Sequence, residues 1–157
     1  MQKISPFLWF DGRAEEAAKF YVSIFENSRI VKTNYYLEGS PGVPGSVMTV
    51  EFVLDGVEFV ALNGGPYYQF SPAISFSVAC KTQDEVDRLW RELSAGGQEV
   101  QCGWLTDKFG VSWQIVPEIL PPMFGSADKA AAQRAFTAML GMTKLNIAQL
   151  QRAYDGS

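Results

Sequence analysis

The sequence contains no histidine among its 157 residues. Imidazole is the commonest general base in enzymes and a frequent ligand of zinc, copper and iron. Its absence excludes Ser-His and Cys-His catalytic pairs, and it excludes every metal centre that depends on imidazole. Proton transfer by this chain would therefore depend on carboxylates, tyrosines or lysines.

Cysteine, positive charge and long apolar segments are also scarce. Cys80 and Cys102 are too few for a disulfide framework and too far apart for a metal-binding pair, so we expect reduced, mostly buried thiols. The net charge of -4 argues against nucleic acid or an anionic membrane as partner. No segment approaches the roughly 20 apolar residues of a membrane-spanning helix, and the N-terminus lacks the apolar stretch of a signal peptide. The sequence predicts a cytoplasmic protein.

The composition that is present, 47% hydrophobic and 19% charged, is that of a globular domain. The first half predicts one strand, one helix and three further strands. Apolar residues recur at helical spacing over 13–26, where Asp11 is the expected N-cap. Asp55-Gly56 is a two-residue hairpin signal. The strands are predicted at 4–10, 29–37, 46–54 and 57–62.

The second half begins in the same order, with a strand, a helix and two further strands. Thr82-Gln83-Asp84-Glu85 forms a capping box that opens a helix ending at Gly96-Gly97. Strands are predicted at 73–80, 98–105 and 111–117. After Pro121-Pro122, Ser126 is the expected cap of an alanine-rich helix ending at Gly141, and Asn146 begins a last short helix. We expect these helices to pack on the sheet or on a second subunit.

Several motifs in order resemble one known family. They are Phe7-Leu8-Trp9-Phe10-Asp11-Gly12, Glu15-Glu16-Ala17, Phe20-Tyr21, Asn63-Gly64-Gly65-Pro66, Gln101-Cys102-Gly103-Trp104 and Asp107-Lys108-Phe109-Gly110-Val111-Ser112-Trp113-Gln114. Together they are similar to PhnB-like proteins of the vicinal oxygen chelate (glyoxalase/bleomycin-resistance/dioxygenase) superfamily. The resemblance extends from about Met1 to Pro122. This family has often been labelled demethylubiquinone methyltransferase.

The resemblance implies an α+β fold in a single glyoxalase-like domain over 1–157. Two βαβββ modules, at 1–66 and 73–120, would form a curled mixed sheet around a ligand, followed by C-terminal helices at 123–157. It also implies a homodimer. In metal-bearing members, His and Glu side chains hold a divalent ion that coordinates two neighbouring substrate oxygens.

The resemblance places the metal-ligand positions near Ser5, Asn63, Ser75 and Gln114. These are hydroxyls and amides, whereas tight transition-metal sites draw on imidazole, thiolate or carboxylate. Glu51 and Glu58 lie on nearby strands, but two carboxylates would hold only Mg²⁺ or Ca²⁺, and weakly. We therefore predict no metal and no cofactor.

The same positions, with two aromatic residues, form the predicted ligand pocket: Ser5, Trp9, Asn63, Tyr67, Ser75 and Gln114. Each has an alternative interpretation. Trp9 could stack on a ligand or pack in the core, as we expect of Trp113. Tyr67, with Tyr68, could lie over the pocket or make a surface or dimer contact. Asn63 and Gln114 could line the pocket or make structural hydrogen bonds within the sheet.

No catalytic residue is identified, although Glu51, among apolar neighbours in mid-strand, is the candidate carboxylate for acid-base chemistry. An exposed or edge position is its alternative. The favoured function is binding of an unidentified small molecule without a metal. The alternatives are an enzyme of the same superfamily with carboxylate or atypical metal chemistry, and a scaffold role through the helical tail. Methyltransferase chemistry is disfavoured, because the first strand-helix junction, Phe10-Asp11-Gly12-Arg13, lacks a glycine-rich turn.

Overall fold

The computed structural model describes residues 2–157 and divides the chain into two compact units, Met1–Phe70 and Ser71–Ser157. Each unit contains a four-stranded mixed sheet and a helix between its first two strands. The predicted α+β class with two βαβββ modules is confirmed. The single glyoxalase-like domain over 1–157 stays a prediction.

The first unit has the sheet order β1-β4-β3-β2, in which β1 runs parallel to β4 and the other pairs are antiparallel. Asp55 and Gly56 join β3 to β4 with positive φ angles of 45° and 82°, as a type I′ hairpin requires. The elements are β1 (Phe7–Phe10), α1 (Ala14–Ile24), β2 (Arg29–Tyr35), β3 (Val47–Leu54) and β4 (Val57–Asn63).

Helix α1 covers one face of this sheet. Side chains alternate along a strand, so Val50 and Phe52 on β3 share that face with Phe59 and Ala61 on β4. All four are buried, and the Phe52 ring lies 5.4 Å from that of Phe59 and 6.2 Å from that of Tyr21 in α1. The opposite side of β3 and β4 remains outside this core.

The start of α1 differs from the prediction that Asp11 is its N-cap. The cap position is Arg13, which makes no side-chain cap hydrogen bond, because the left-handed turn at Gly12 (φ 79°) leaves Asp11 outside the helix. The Asn63 side chain instead accepts a hydrogen bond from the Ala14 amide at 2.9 Å. A residue at the end of β4 thus satisfies one of the free amides of α1.

The second unit has the sheet order β5-β8-β7-β6, with β5 parallel to β8. Its elements are β5 (Phe76–Cys80), α2 (Gln83–Ser94), β6 (Gln98–Glu99), β7 (Trp104–Thr106), β8 (Ser112–Pro117), α3 (Leu120–Phe124), α4 (Lys129–Leu140) and α5 (Ile147–Asp155). Thr82 caps α2 as predicted, since its hydroxyl accepts from the Glu85 amide. The Glu85 carboxylate accepts from the main-chain N–H of Lys81, one residue before the expected partner, Thr82.

Three predictions in the second unit were wrong. The strand expected at 98–105 is interrupted, because Cys102 and Gly103 adopt left-handed φ angles of 62° and 83°. The strand expected at 73–80 begins only at Phe76. The cap of α4 is Asp128, whose carboxylate accepts from the Ala131 amide, rather than Ser126, which instead accepts from the Asp128 amide.

Helix α3 was not predicted, because Pro121-Pro122 is typical of a break in the chain. Proline is nevertheless tolerated in the first turn of a helix, where its missing N–H would have no intrahelical partner. Both prolines occupy that turn of α3. The predicted end of α4 at Gly141 and the predicted start of α5 at Asn146 are confirmed, and the Asn146 side chain accepts from the Gln149 amide.

The tail packs on its own unit. Its buried cluster consists of Leu120, Met123, Ala135, Met142, Leu145 and Leu150. The Gln83 side chain of α2 donates to the Leu145 carbonyl at 3.1 Å and accepts from the Ile147 amide at 2.8 Å. Lys144 also pairs with Asp87 at 2.9 Å. These contacts join the tail to the beginning of α2.

Both cysteines are free thiols. Cys80 is fully buried on β5, and burial raises the pKa of its thiol to about 12. Cys102 is half-buried in the turn before β7. Among the helices formed by residues 2–157, none has the length and apolar character needed to cross a bilayer.

Replacing Gln83 with alanine removes both hydrogen bonds to the tail and leaves a carbonyl and an amide without that partner. We expect a loss of about 1–3 kcal/mol in the free energy of unfolding, measured by urea denaturation. Gln133→Ala is the control, since the exposed Gln133 side chain donates to Thr137 of its own helix. Equal stabilities of the two variants would contradict this role of Gln83.

Candidate functional site

The face of the first sheet opposite α1 carries the candidate site, and we call it the far face. Cross-strand register places Lys32, Glu51, Val60 and Phe7 in one row across the four strands, and Asn34, Thr49, Leu62 and Trp9 in the next. Most of these side chains are half-buried, while Lys32 and Phe7, on the edge strands, are exposed. In these two rows the far face is therefore apolar on β1 and β4 and polar on β2 and β3.

The polar group consists of Glu51, Asn34 and Thr49. The Asn34 amide nitrogen donates to the Glu51 carboxylate at 3.2 Å and to the Thr49 hydroxyl at 3.0 Å. In residues 2–157, no basic group lies within 4 Å of the Glu51 carboxylate. An amide thus orients this half-buried carboxylate without neutralising its charge.

Trp9 lies on the far face and is fixed against the turn that follows β4. Its indole N–H donates to the Gly65 carbonyl at 2.9 Å, and its ring meets Tyr68 edge-on with centroids 4.8 Å apart. A Cβ at Gly64 would lie 2.3 Å from the same ring, so only glycine fits there. Tyr67, on this turn, is 77% exposed.

Ser5 lies before β1, and its hydroxyl accepts from the Gln2 side chain at 3.3 Å. Gln2 also exchanges two hydrogen bonds with the Glu58 main chain, at 3.0 and 3.1 Å. These contacts extend the pairing of β1 with β4 toward the N-terminus. Ser5 is thus placed at the border of the sheet, and its role in a pocket stays a prediction.

Asn63 lies on the α1 side of β4, in the alternation of Phe59 and Ala61. In addition to accepting from Ala14, its side chain donates to the Val47 carbonyl at 3.1 Å. The Tyr36 hydroxyl donates to the Asn63 carbonyl. These are the contacts of the structural alternative considered from the sequence, and a ligand contact of Asn63 stays a prediction.

In the second unit, Gln114 donates to the Ser75 hydroxyl at 3.0 Å. Register places Gln114 between Ser77 on β5 and Trp104 on β7. The neighbouring Trp113 points to the other face, where it is buried and donates to Asp107 at 2.9 Å. Trp113 thus packs in the core, as expected, and Gln114 lies on the opposite face of the sheet.

The structure brings together two pairs among the predicted pocket residues. Ser75 and Gln114 share a hydrogen bond, and Trp9 and Tyr67 both lie against the turn at Gly64-Gly65. Sequence reasoning missed Asn34, which donates to the candidate Glu51, and Thr49, which accepts from the same Asn34 nitrogen. The alternation of Thr49 and Glu51 was a signal for their shared face, but the partner on β2 depends on a strand register that contains irregularities.

The residues that the resemblance places at the metal-ligand positions do not fit a tight divalent-metal site. The Asn63 amide already bonds to two main-chain groups, and the Gln114 amide donates to Ser75. Their oxygens are neutral, whereas such sites require imidazole, thiolate or carboxylate. Over residues 2–157, no group of three or more Cys, Asp or Glu side chains has a metal-binding arrangement.

The family model described as 3-demethylubiquinone-9 3-methyltransferase matches residues 2–116. A PhnB protein from Bacillus cereus is 39% identical, covers 74% of this chain and 99% of its own, and superposes with a TM-score of 0.68. The chain belongs to this PhnB-like family. The predicted membership in the PhnB-like family is thereby confirmed.

Two further structures share the fold of this PhnB-like protein. A Pseudomonas aeruginosa protein is 23% identical, covering 75% of this chain and 98% of its own, with a TM-score of 0.62. A fosfomycin resistance protein from Listeria monocytogenes, crystallised with Mn(II) and 1S,2S-dihydroxypropylphosphonic acid, is 14% identical. It covers 74% of this chain and 92% of its own, with a TM-score of 0.54. No protein of curated function matches this chain significantly.

Replacing Asn63 with alanine leaves the Ala14 amide and the Val47 carbonyl without their side-chain partner. We expect a loss of about 2–3 kcal/mol in unfolding free energy, measured by urea denaturation. Gln114→Ala, which removes one hydrogen bond to a half-buried hydroxyl, should lose only about 1 kcal/mol. An Asn63→Ala protein as stable as Gln114→Ala would show that the two bonds of Asn63 contribute little.

Replacing Gly64 with alanine should displace the Trp9 ring, since the new methyl group overlaps it. We expect a changed tryptophan emission spectrum and a loss of about 1–3 kcal/mol in stability, as for other overpacked sites. Gly125→Ala is the matched control, because its Cβ would meet no heavy atom closer than 3.7 Å. An unchanged Gly64→Ala emission spectrum would refute the packing of Trp9 on this turn.

Proposed function

We propose that this PhnB-like protein binds a small organic molecule on its far face, without the superfamily's His/Glu metal centre. The observation that carries the proposal is the Glu51–Asn34–Thr49 group, a polar contact point beside the apolar side chains of β1 and β4. Small-molecule sites typically combine an apolar surface with a few placed polar groups.

The apolar part of the far face supports this proposal energetically. Val60 and Leu62 are half-buried and Phe7 is 63% exposed, so a ligand covering them would remove further apolar area from water. Each Å² of apolar surface covered in this way contributes roughly 25 cal/mol to the free energy of binding. The Ser75–Gln114 pair offers a second polar contact point, on the sheet of its own unit.

An enzyme that uses Glu51 for proton transfer is the second candidate function. The observation in its favour is the Asn34 amide, which fixes the carboxylate in one orientation beside the apolar side chains of β4. Positioned carboxylates of this kind serve as general bases. Glu51 lies on the proposed ligand surface. An enzyme of this kind would therefore first bind its substrate there.

Methyltransferase activity, which the family description names, is not part of the proposal. A Rossmann-type methyltransferase binds its cofactor at a glycine-rich turn that follows a strand of a mainly parallel sheet. Here the turn after β1 is Phe10-Asp11-Gly12-Arg13, and each sheet contains one parallel and two antiparallel pairs. We expect no binding of S-adenosylmethionine by calorimetry.

A homodimer is also part of the proposal. Edge strand β2 and the loop after it expose Val31, Tyr35, Leu37 and Val43 by 53%, 52%, 76% and 73%. Exposed apolar side chains that lie close together along the chain favour a protein-protein contact.

Nuclear magnetic resonance with a mixture of uncharged and charged aromatic fragments tests the binding site. We expect the fragments that bind to shift the main-chain amides of β3 and β4 and the indole N–H of Trp9, assigned with Trp9→Phe. The indole of Trp113 is the internal control, because it is buried and bonded to Asp107. If fragments bind but leave the main-chain amide resonances of Thr49, Glu51 and Val60 unshifted, the binding site lies elsewhere.

A Phe7→Ser variant tests the apolar contribution to affinity. Phe7 is 63% exposed, so its replacement should leave folding intact. It should lower the affinity for the fragments that bind by several-fold, because apolar contact area is lost. Leu140→Ser, at a 53% exposed position in α4 and outside the far face, should leave affinity unchanged. Equal affinities of both variants would remove the far face as the binding surface.

A further inference from the structure

We propose that the ligand of the far face is an organic cation, with Glu51 recognising an ammonium or similar N–H-bearing group. This inference rests on the proposed function and specifies its ligand class. The cationic group would be joined to an apolar body that covers Val60 and Phe7 in the same row, and Leu62 and Trp9 in the next.

The position of the charges on the far face supports a cation. Glu51 lies on β3, an internal strand, and is half-buried, whereas the basic side chains Arg29 and Lys32 lie exposed on edge strand β2. In the part of the chain that the structure describes, neither forms an ion pair with Glu51. A molecule lying on the internal strands would therefore meet the carboxylate first.

The way in which Glu51 is held also supports a cation. Asn34 donates to Oε2 of the carboxylate and, through the same nitrogen, to the Thr49 hydroxyl. A neutral amide fixes the geometry but leaves the negative charge, and it leaves Oε1 for another donor. A ligand ammonium at Oε1 would form a charge-assisted hydrogen bond, which is stronger than a bond between neutral groups.

The register limits the length of the ligand. Glu51, Val60 and Phe7 lie opposite one another on three successive strands. Neighbouring strands are about 4.8 Å apart, so β1, which carries Phe7, lies about 10 Å from β3, which carries Glu51. An amine joined by a short linker to one or two rings would fill this distance.

Glu58 is the other carboxylate on this face and provides a comparison. Its Oε2 accepts from the Gln2 main-chain N–H at 3.2 Å, and its main chain is bonded to the Gln2 side chain. It lies beside the hairpin, next to Val53 and one row further from the Leu62–Trp9 row. We expect it to take no part in cation recognition.

Three probes of equal size test the inference: 2-naphthylmethylamine, 2-naphthylmethanol and 2-naphthoate. Titrations are followed by the shifts of the β3 and β4 amides. We expect the ammonium to bind about tenfold more tightly than the alcohol, as for a hydrogen bond to a charged group, and the carboxylate to bind most weakly. Glu51→Gln, which retains an oxygen for Asn34, should reduce the difference between ammonium and alcohol to less than about twofold.

Glu58→Gln is the matched control and should retain the preference for the ammonium. Equal affinity for ammonium and alcohol, preference for the naphthoate, or a preference lost in Glu58→Gln rather than Glu51→Gln would each overturn the inference. In those cases the proposed binding function stands, because the probes still bind the far face. Absence of binding by all three probes overturns the inference, and if no fragment of any charge shifts the far face, the proposed function falls as well.

Discussion

The packing of α1 on the internal strands β3 and β4 is the constraint on which the candidate site depends. Phe52 and Phe59 bury their rings under this helix, and alternation then turns Glu51 and Val60 to the opposite side. A shift of one residue in either strand would exchange these two sets. The same core that stabilises the first unit thus determines which residues a ligand can reach.

Asn63 shows how this arrangement assigns polar residues to structural roles. It lies on the α1 side of β4, where its amide joins the start of α1 to the start of β3. Asp107 has a comparable role in the second unit, where its carboxylate accepts from Phe109, Val111 and the Trp113 indole. Several motif residues that mark the family are therefore residues that hold turns and helix ends, and the candidate ligand contacts lie beside them.

Much of the fold could be predicted from the sequence, because the signals involved are local. The Asp55-Gly56 hairpin, the Thr82 cap and the Asn146 cap each depend on a few neighbouring residues, and each is present. Two of the errors arose where a distant residue replaced a local one, and the first of these is at the start of α1, where Asn63 accepts from the Ala14 amide. The interruption at Cys102 and Gly103 also depends on distant residues, since their amides donate to the carbonyls of Met142 and Thr143 in the tail.

The sequence alone limited the chemistry that is possible: without histidine, and with amides and hydroxyls at the expected ligand positions, proton transfer is left to carboxylates, tyrosines or lysines. It also determined the family, through motifs that occur in order. Only the tertiary structure decided that Glu51 rather than Asn63 faces the surface opposite α1, and that Asn34 holds it. Strand register brings together residues 17 positions apart, and it is set by the packing of a whole sheet on its helix rather than by any local pattern.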